Sequence, residues 1–325
     1  MSIYIASCAQ ISVQKPLSDE WFDNPAVYGS GTYVRAQDPD FKPFINPMAA
    51  RRMGLILKRA IATSQSALRN AAVDSPDAII TATGLGCIEN TEKFLFAMAT
   101  QGESCLQPTF FINSTHNTTG SYIAVTRKDH CYNNTHVHRG TSFESALLDA
   151  VLKFRLGKIK TALVGAHDEM TPNYFQILDK TGFWNGGFAS ETAVSFVLKD
   201  QGEIELSGMD IMYKPDNERI AKSLKTLCET KGIDIKDIDL LVTGRNGDAG
   251  NNSVYERFER AFGFTGKSAT YKEIFGESFT TSGYGLCYAY ECLRHRQTPD
   301  GRSVRNVLVY NHFNNIDHSL ILLSR

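Results

Sequence analysis

The sequence predicts an α/β fold with largely parallel sheets, and three observations lead there. Strand-like runs dense in β-branched and apolar residues alternate with amphipathic helical patterns along most of the chain. Two successive strand runs close each half, 161–168 then 191–199 and 304–311 then 318–323, which points to a duplicated unit although no repeat is visible letter by letter. The length of 325 residues, with 42% hydrophobic and 21% charged, suits one large core or two fused half-domains. We expect halves at 1–200 and 201–325.

In chain order, the first strand is 2–13, apolar and alternating. Residues 14–46 are rich in Pro, Asp and aromatics without a period; such a segment is a functional cover or a packing arm, and Trp21, Phe22, Tyr28, Tyr33, Phe41 and Phe44 read as its buried anchors. The stretch 47–72 has apolar residues at spacings of three and four and predicts one long helix. Strand 78–84, helices 91–100 and 116–127, strand 134–139 and helix 142–156 follow, the last with Phe143, Ala146, Leu147, Ala150, Val151 and Phe154 on one side. After strands 161–168 and 191–199 the order recurs: strand 203–213, helix 216–231, strand 239–243, helices 253–262 and 282–296, then the two closing strands. Neither "GLG" at 84–86 nor "GFWNGG" at 182–187 supplies the spaced glycines of a dinucleotide site, so both read as turns.

The 34 Lys and Arg nearly balance 35 Asp and Glu, with no block of like charge, so nothing points to nucleic acid or an anionic membrane surface. No apolar run approaches the roughly 20 residues of a membrane-spanning helix, and the N-terminus lacks the basic flank of a signal peptide. Seven scattered cysteines, odd in number and without a CxxC pair, suggest reduced thiols and a cytoplasmic protein. His130, His136 and His138 lie close to Asp129 and Cys131, and a period of two would place His136 and His138 on one strand face. Their spacing fits no compact zinc motif, and neither a metal nor another cofactor is expected.

Four local patterns in order carry a resemblance. They are "FFINSTHNTTGSYIAV" (110–125), "THVHRGTSFESALLDAVLKFRLGKIKTALVGAHDEMTP" (135–172), "YKEIFGESFTTSGYG" (271–285) and "VLVYNHFNNIDHSLILL" (307–323). Together they resemble the β-ketoacyl synthase family of condensing enzymes: the helix before the nucleophile strand, with Asn117 and Gly120 matching; the nucleophile turn and its helix; the lysine motif; and the closing strands. The resemblance implies a thiolase-like fold, two related βαβαβ halves in five layers (αβαβα). It also implies that the strand before the nucleophile turn pairs across a two-fold axis, which makes 132–140 the expected interface strand and Asn134, His136 and His138 its interface candidates.

The resemblance breaks at the chemistry. Active family members hold an acyl group on a cysteine at a helix N-terminus, where backbone N–H groups stabilise thiolate and oxyanion. Counting back along the helix from Ala150 places that cysteine on Gly140. One family histidine belongs five residues after the lysine; Lys272 and Gly276 match, but Glu277 stands in the histidine's place, and an ionised glutamate accepts hydrogen bonds rather than donating them. The other histidine falls within Thr243, Gly244 or Arg245. The family's closing glycine run is also lost and the loop shortened.

Gly140, Arg245 and Glu277 are therefore vestigial positions, with Thr141, Ser142 and Lys272 as surrounding pocket candidates, and no independent condensation activity is expected. Members without the cysteine and histidines resemble chain-length factors, which pair with an active ketosynthase as a heterodimer and meet acyl carrier protein through the complex. The synthesis concerned would be of fatty-acid, polyketide or aryl-polyene type. Two alternatives stay open: an acyltransferase or hydrolase using Ser142 or Cys131, and a homodimeric acyl-binding or scaffold protein. Ser142 also reads as a plain helix-start residue, and Glu277 facing Arg245 would close the old pocket by a charge-assisted pair.

Overall fold

The computed structural model describes residues 2–183 and 186–325, and only the backbone of Ser104 and Cys105; Trp184 and Asn185 of the 182–187 turn lie outside the described residues. The strands are β1 (Tyr4–Ile11), β2 (Ala78–Ala82), β3 (Tyr132–His136), β4 (Thr161–Asp168), β5 (Thr192–Lys199), β6 (Ile204–Tyr213), β7 (Leu240–Thr243), β8 (Ser268–Thr270), β9 (Asn306–Phe313) and β10 (Asp317–Ser324). The helices are α1 (Pro47–Ala50), α2 (Leu55–Asn70), α3 (Ile88–Gln101), α4 (Pro108–Ile112), α5 (Thr118–Arg127), α6 (Ser142–Arg155), α7 (Pro172–Lys180), α8 (Asn217–Lys231), α9 (Ala249–Phe262), α10 (Lys272–Phe275) and α11 (Ser282–His295).

The strands form one sheet in the order β3-β2-β4-β5-β1-β6-β10-β9-β7-β8. Within β3-β2-β4-β5-β1 the first three are parallel and the rest antiparallel, and β8-β7-β9-β10-β6 repeats that arrangement. The two sets join into one sheet where Tyr4 and Ile5 of β1 pair with Glu205 and Ile204 of β6. Side chains alternate across the strands, so each set buries both faces. Ile80, Val164 and Phe196 of the first set and Val242, Val309 and Ile321 of the second enclose α6 and α11 in one central core. The opposite faces pack under α2 on one side and under α8 and α9 on the other. The result is the five-layered, thiolase-like α/β fold.

Two expectations are corrected. The single helix over 47–72 is two, α1 and α2, because Gly54 adopts an extended backbone (ψ 164°) as the N-cap of α2. The strand expected at 134–139 runs from Tyr132 to His136, because its neighbour β2 ends at Ala82 and the chain beyond turns away. Helix α7 and the short strand β8 were not foreseen; α7 begins with Thr171 capping the Tyr174 N–H at 3.1 Å and Pro172 in its first turn.

The arm at 14–46 is anchored by the buried Trp21 and Phe22, whereas Tyr28, Tyr33, Phe41 and Phe44, expected to be buried too, are only half-buried. Polar ties complete it. The buried Arg59 of α2 pairs with Glu191 at 2.8 Å and with Asp38 of the arm at 2.6 Å, and the Tyr33 hydroxyl donates to the Met170 carbonyl at 2.7 Å.

Candidate functional site

Gly140 lies buried in a 3-10 turn, Arg139–Thr141, directly before α6. Arg139 enters it with a left-handed backbone, φ 48°. The turn is tied by Ser142, whose hydroxyl donates to the Arg139 carbonyl and accepts from the His138 N–H, both at 2.7 Å. Thr141, also buried, donates to the His138 carbonyl at 3.0 Å. Ser142 is thus a buried helix-start residue with its hydroxyl engaged on both sides, which argues against a nucleophile. Cys131 fares no better, because burial first and then Asp129 push its thiol pKa up and leave less thiolate.

The space that a side chain at residue 140 needs is already filled. A Cβ on Gly140 would stand 2.2 Å from Cδ2 and 2.5 Å from Cγ of Phe313, the last residue of β9. No atom pair tolerates such a distance, so any larger residue at 140 must displace that ring.

Glu277, where the resemblance expected a histidine, is part of an ion pair. Glu277 accepts from the buried Lys272 ammonium at 2.7 Å and from the Asn246 amide at 2.9 Å. Its backbone is clamped as well, with its N–H on the Phe188 carbonyl and its carbonyl on the Ser190 N–H. The expected Arg245 partner is absent from this group: the Arg245 guanidinium turns to Glu259 of α9. Lys272 reaches Glu277 because the short helix α10 folds the intervening residues back upon themselves. Beside them Gly244 has no room for a side chain, since a Cβ would lie 2.6 Å from the Tyr255 hydroxyl and 2.8 Å from that of Tyr271.

Beneath both positions runs a polar network that sequence reasoning missed. Glu144, fully buried in the first turn of α6, accepts from Asn311 at 3.0 Å, Ser282 at 3.0 Å and Ser319 at 3.1 Å. Burial raises its pKa and these donors oppose the shift. Asn311 in turn accepts from Tyr271 at 3.1 Å and Tyr255 at 3.3 Å. His312, next in the chain, is held neutral by burial, its pKa pushed down to about 3, and its Nε2 meets the Asn251 carbonyl at 3.1 Å. The signal for this network was the polar character of "YNHF" inside an apolar strand.

Asn134 and His136 of β3 converge on Asp149 of α6, at 3.2 and 3.1 Å, joined by the Tyr132 hydroxyl at 3.1 Å. His138 is not on their strand; its Nδ1 meets Ser145 at 3.1 Å, so the shared face expected of His136 and His138 does not form. β3 is the outermost strand of the sheet, paired to β2 on one side alone. Among the described residues, Asp19, Glu291 and His295 approach one another as metal ligands would, and the Arg294 guanidinium binds all three.

Set beside known proteins, residues 20–236, more than half of the chain, match the family model for the beta-ketoacyl synthase, N-terminal domain. Curated proteins give no match to the sequence. Among solved structures, the ishigamide ketosynthase/chain length factor superposes with a TM-score of 0.79 at 16% identity, covering 99% of this chain and 98% of that one. A beta-ketoacyl synthase from Burkholderia phymatum STM815 gives 0.81 at 12% identity, with 100% and 99% covered. A type II PKS acyl-carrier protein in complex with its ketosynthase bound to the hexaketide (AntDE:AntF) gives 0.80 at 13%, with 99% of each covered. The chain belongs to the beta-ketoacyl synthase family.

Proposed function

We propose that this family member is a catalytically inactive subunit, a chain-length factor, that pairs with an active β-ketoacyl-ACP synthase and supports acyl-chain extension of polyketide, fatty-acid or aryl-polyene type. One observation carries the reading: the nucleophile turn keeps its place before a buried helix, yet Gly140 has neither a thiol nor space for one. Glu277, an acceptor engaged by Lys272, offers no donor to an enolate or oxyanion. A subunit with this frame and without the chemistry acts through a partner, and acyl carrier protein is met through that complex.

The surface around β3 supports a partner. An outermost strand presents unpaired N–H and C=O groups, a template for pairing with another chain. Helices α5 and α6 flank it, and both expose apolar residues, Val125 on α5 and Leu152 on α6, with Leu156 beyond α6 and Val137 beyond the strand. Apolar side chains gathered at a sheet edge mark an interaction surface. Asn134, His136 and His138 are its polar members. The halves 1–200 and 201–325 divide the work in this reading, the first carrying β3.

Co-expression with an active ketosynthase from the native host tests it. The two chains are expected to co-purify in equal amounts, with extension and product length dependent on this chain. A ketosynthase that condenses malonyl units and sets the same product length without it would sink the proposal.

A further inference from the structure

Beyond Ile5, strand β1 parts from β6, with a register shift between Ile5 and Ser7. The edge of β1 uncovered there borders a cavity of about 520 Å³ that α2 and α11 also line, a volume ordinary for a small-molecule site. The arm adds Leu17, Trp21 and Phe44 to its wall, held in place by the Leu17 N–H on the Gln10 carbonyl at 2.8 Å and by Asp19 on Arg294. Three buried polar groups of this wall lack partners. Gln10, 3% exposed, donates through Nε2 to the Lys15 and Ser18 carbonyls at 2.9 and 3.1 Å, which sets its amide and leaves Oε1 without a donor. Ser66 of α2, 9% exposed, and Tyr290 of α11, 7% exposed, carry hydroxyls that meet no hydrogen-bond partner among the described residues. Burial first, then Cys8 and Glu291, push the Tyr290 pKa up, so its hydroxyl keeps a proton to donate. Buried polar groups are nearly always paired, and three unpaired around one cavity point to a ligand. The charges are uneven as well. Arg294 is engaged by Asp19 and Glu291, whereas the exposed Arg69 has no carboxylate partner among the described residues and lies 5.7 Å over the Phe44 ring.

We infer that this cavity binds a small aromatic carboxylic acid that carries a hydroxyl or amino donor, with the carboxylate on Arg69 and the donor on Oε1 of Gln10. Arg69 is exposed and Gln10 buried, so the acid enters donor first and keeps its charge at the mouth. Trp21, Phe44 and Leu17 supply the apolar wall that an aromatic body needs, and the hydroxyls of Ser66 and Tyr290 serve substituents along it. The arm is then the cover of a site as well as a packing element. Among the described residues, this site shares no lining residue with the Gly140 turn, the Lys272–Glu277 pair or β3.

The test titrates the full chain with 6-hydroxy-2-naphthoic acid, followed by the fluorescence anisotropy of the acid itself. Saturable binding is expected. Two relatives of the probe separate its ends: 2-naphthoic acid lacks the donor and 2-naphthol lacks the acid, and each is expected to bind about tenfold more weakly, the factor for one buried hydrogen bond left unmade. Arg69→Ala should weaken both acids about tenfold and leave 2-naphthol unchanged. Ser66→Phe should fill the cavity and abolish binding of all three. An absence of saturable binding by the wild type, equal affinity for the hydroxy acid and 2-naphthol, acids that bind Arg69→Ala as well as the wild type, or binding that survives Ser66→Phe each overturn the inference. Should Ser66→Phe fail to fold, Tyr290→Phe replaces it, since it keeps the ring and removes one oxygen; about threefold weaker binding of the hydroxy acid is then expected, and unchanged binding overturns the inference. No ketosynthase is present in these titrations, so their failure leaves the partner reading standing, and a failure to co-purify leaves this site standing.

Discussion

Two strand ends occupy equivalent places in the two halves and have opposite chemistry. Asp168 ends the eight-residue β4 and pairs with Thr192 at the start of β5; Phe313 ends the eight-residue β9 and pairs with Asp317 at the start of β10. Each also meets the turn two residues before the other half's central helix. Asp168 accepts from Thr280, ahead of α11, at 2.7 Å, whereas Phe313 covers Gly140, ahead of α6. The first clasp is a directed set of hydrogen bonds, and the second is filled volume. One topology therefore fixes where the halves touch without fixing how. The steric clasp falls on Gly140, so the same contact that joins the halves leaves that position no room for a side chain.

Breaking the polar clasp should cost most. Asp168 accepts from the hydroxyls of Thr83 and Thr280 and from the N–H groups of Gly84 and Leu85. Asp168→Ala leaves these groups unpaired in the interior, and at about 1–3 kcal/mol for a buried group left unsatisfied the loss is about 3 kcal/mol or more. Urea unfolding measures it; a loss no greater than that of a surface substitution would show that water replaces the carboxylate. The steric clasp should respond in the opposite sense, to added volume. Gly140→Ala is expected to destabilise by about 1–3 kcal/mol through overpacking. The double variant with Phe313→Ala should lose less than the sum of the two singles, a favourable coupling that a double-mutant cycle reads directly.

A third test concerns the residue after the polar clasp. Burial is the main cause that pushes the Glu169 pKa up, to about 7 from an ordinary value of 4.5, although the Glu89 N–H donates to it at 2.9 Å. The folded state therefore binds the proton more tightly than the unfolded chain between those values, and stability falls as pH rises through that window. The slope should reach no more than about 1.4 kcal/mol per pH unit. Thermal unfolding between pH 4.5 and 7 should show it in the wild type and a flatter profile in Glu169→Gln.

The smallest effect on stability, within about 0.5 kcal/mol, belongs to the exposed side of α6. Leu152→Ser lies there, at a side chain about half exposed. Its expected consequence is weaker co-purification with a ketosynthase, measured on a sizing column. Unchanged co-elution would move the proposed partner surface elsewhere.

Much of this was legible in the letters. Strands 161–168 and 191–199 and helix 142–156 match β4, β5 and α6 within a residue, because each combines a clear period with Gly, Pro or charged residues at its ends. β8 escaped notice because three residues carry no period, and α7 because its exposed surface lacks a buried stripe despite the Thr171-Pro172 start. The residues at Gly140 and Glu277 could be read from identity alone, but the pairing of Glu277 could not. Lys272 and Arg245 are both cations, and only the fold back through α10 brings the lysine within reach while Glu259 holds the arginine.

By itself, then, the sequence determined the order of elements, the duplication, and the residue types at Gly140 and Glu277, which supply neither a thiol nor a hydrogen-bond donor. Those are local properties, set by periodicity and by what a side chain contains. Tertiary structure alone decided what took their place. Phe313 reaches Gly140 because an Asn-Asn turn ends β9 at one residue and not two later, and because the second half folds its strand end onto the first half's helix start. That contact joins residues far apart in the chain, and close packing, which no local pattern encodes, selects a ring to fill the space.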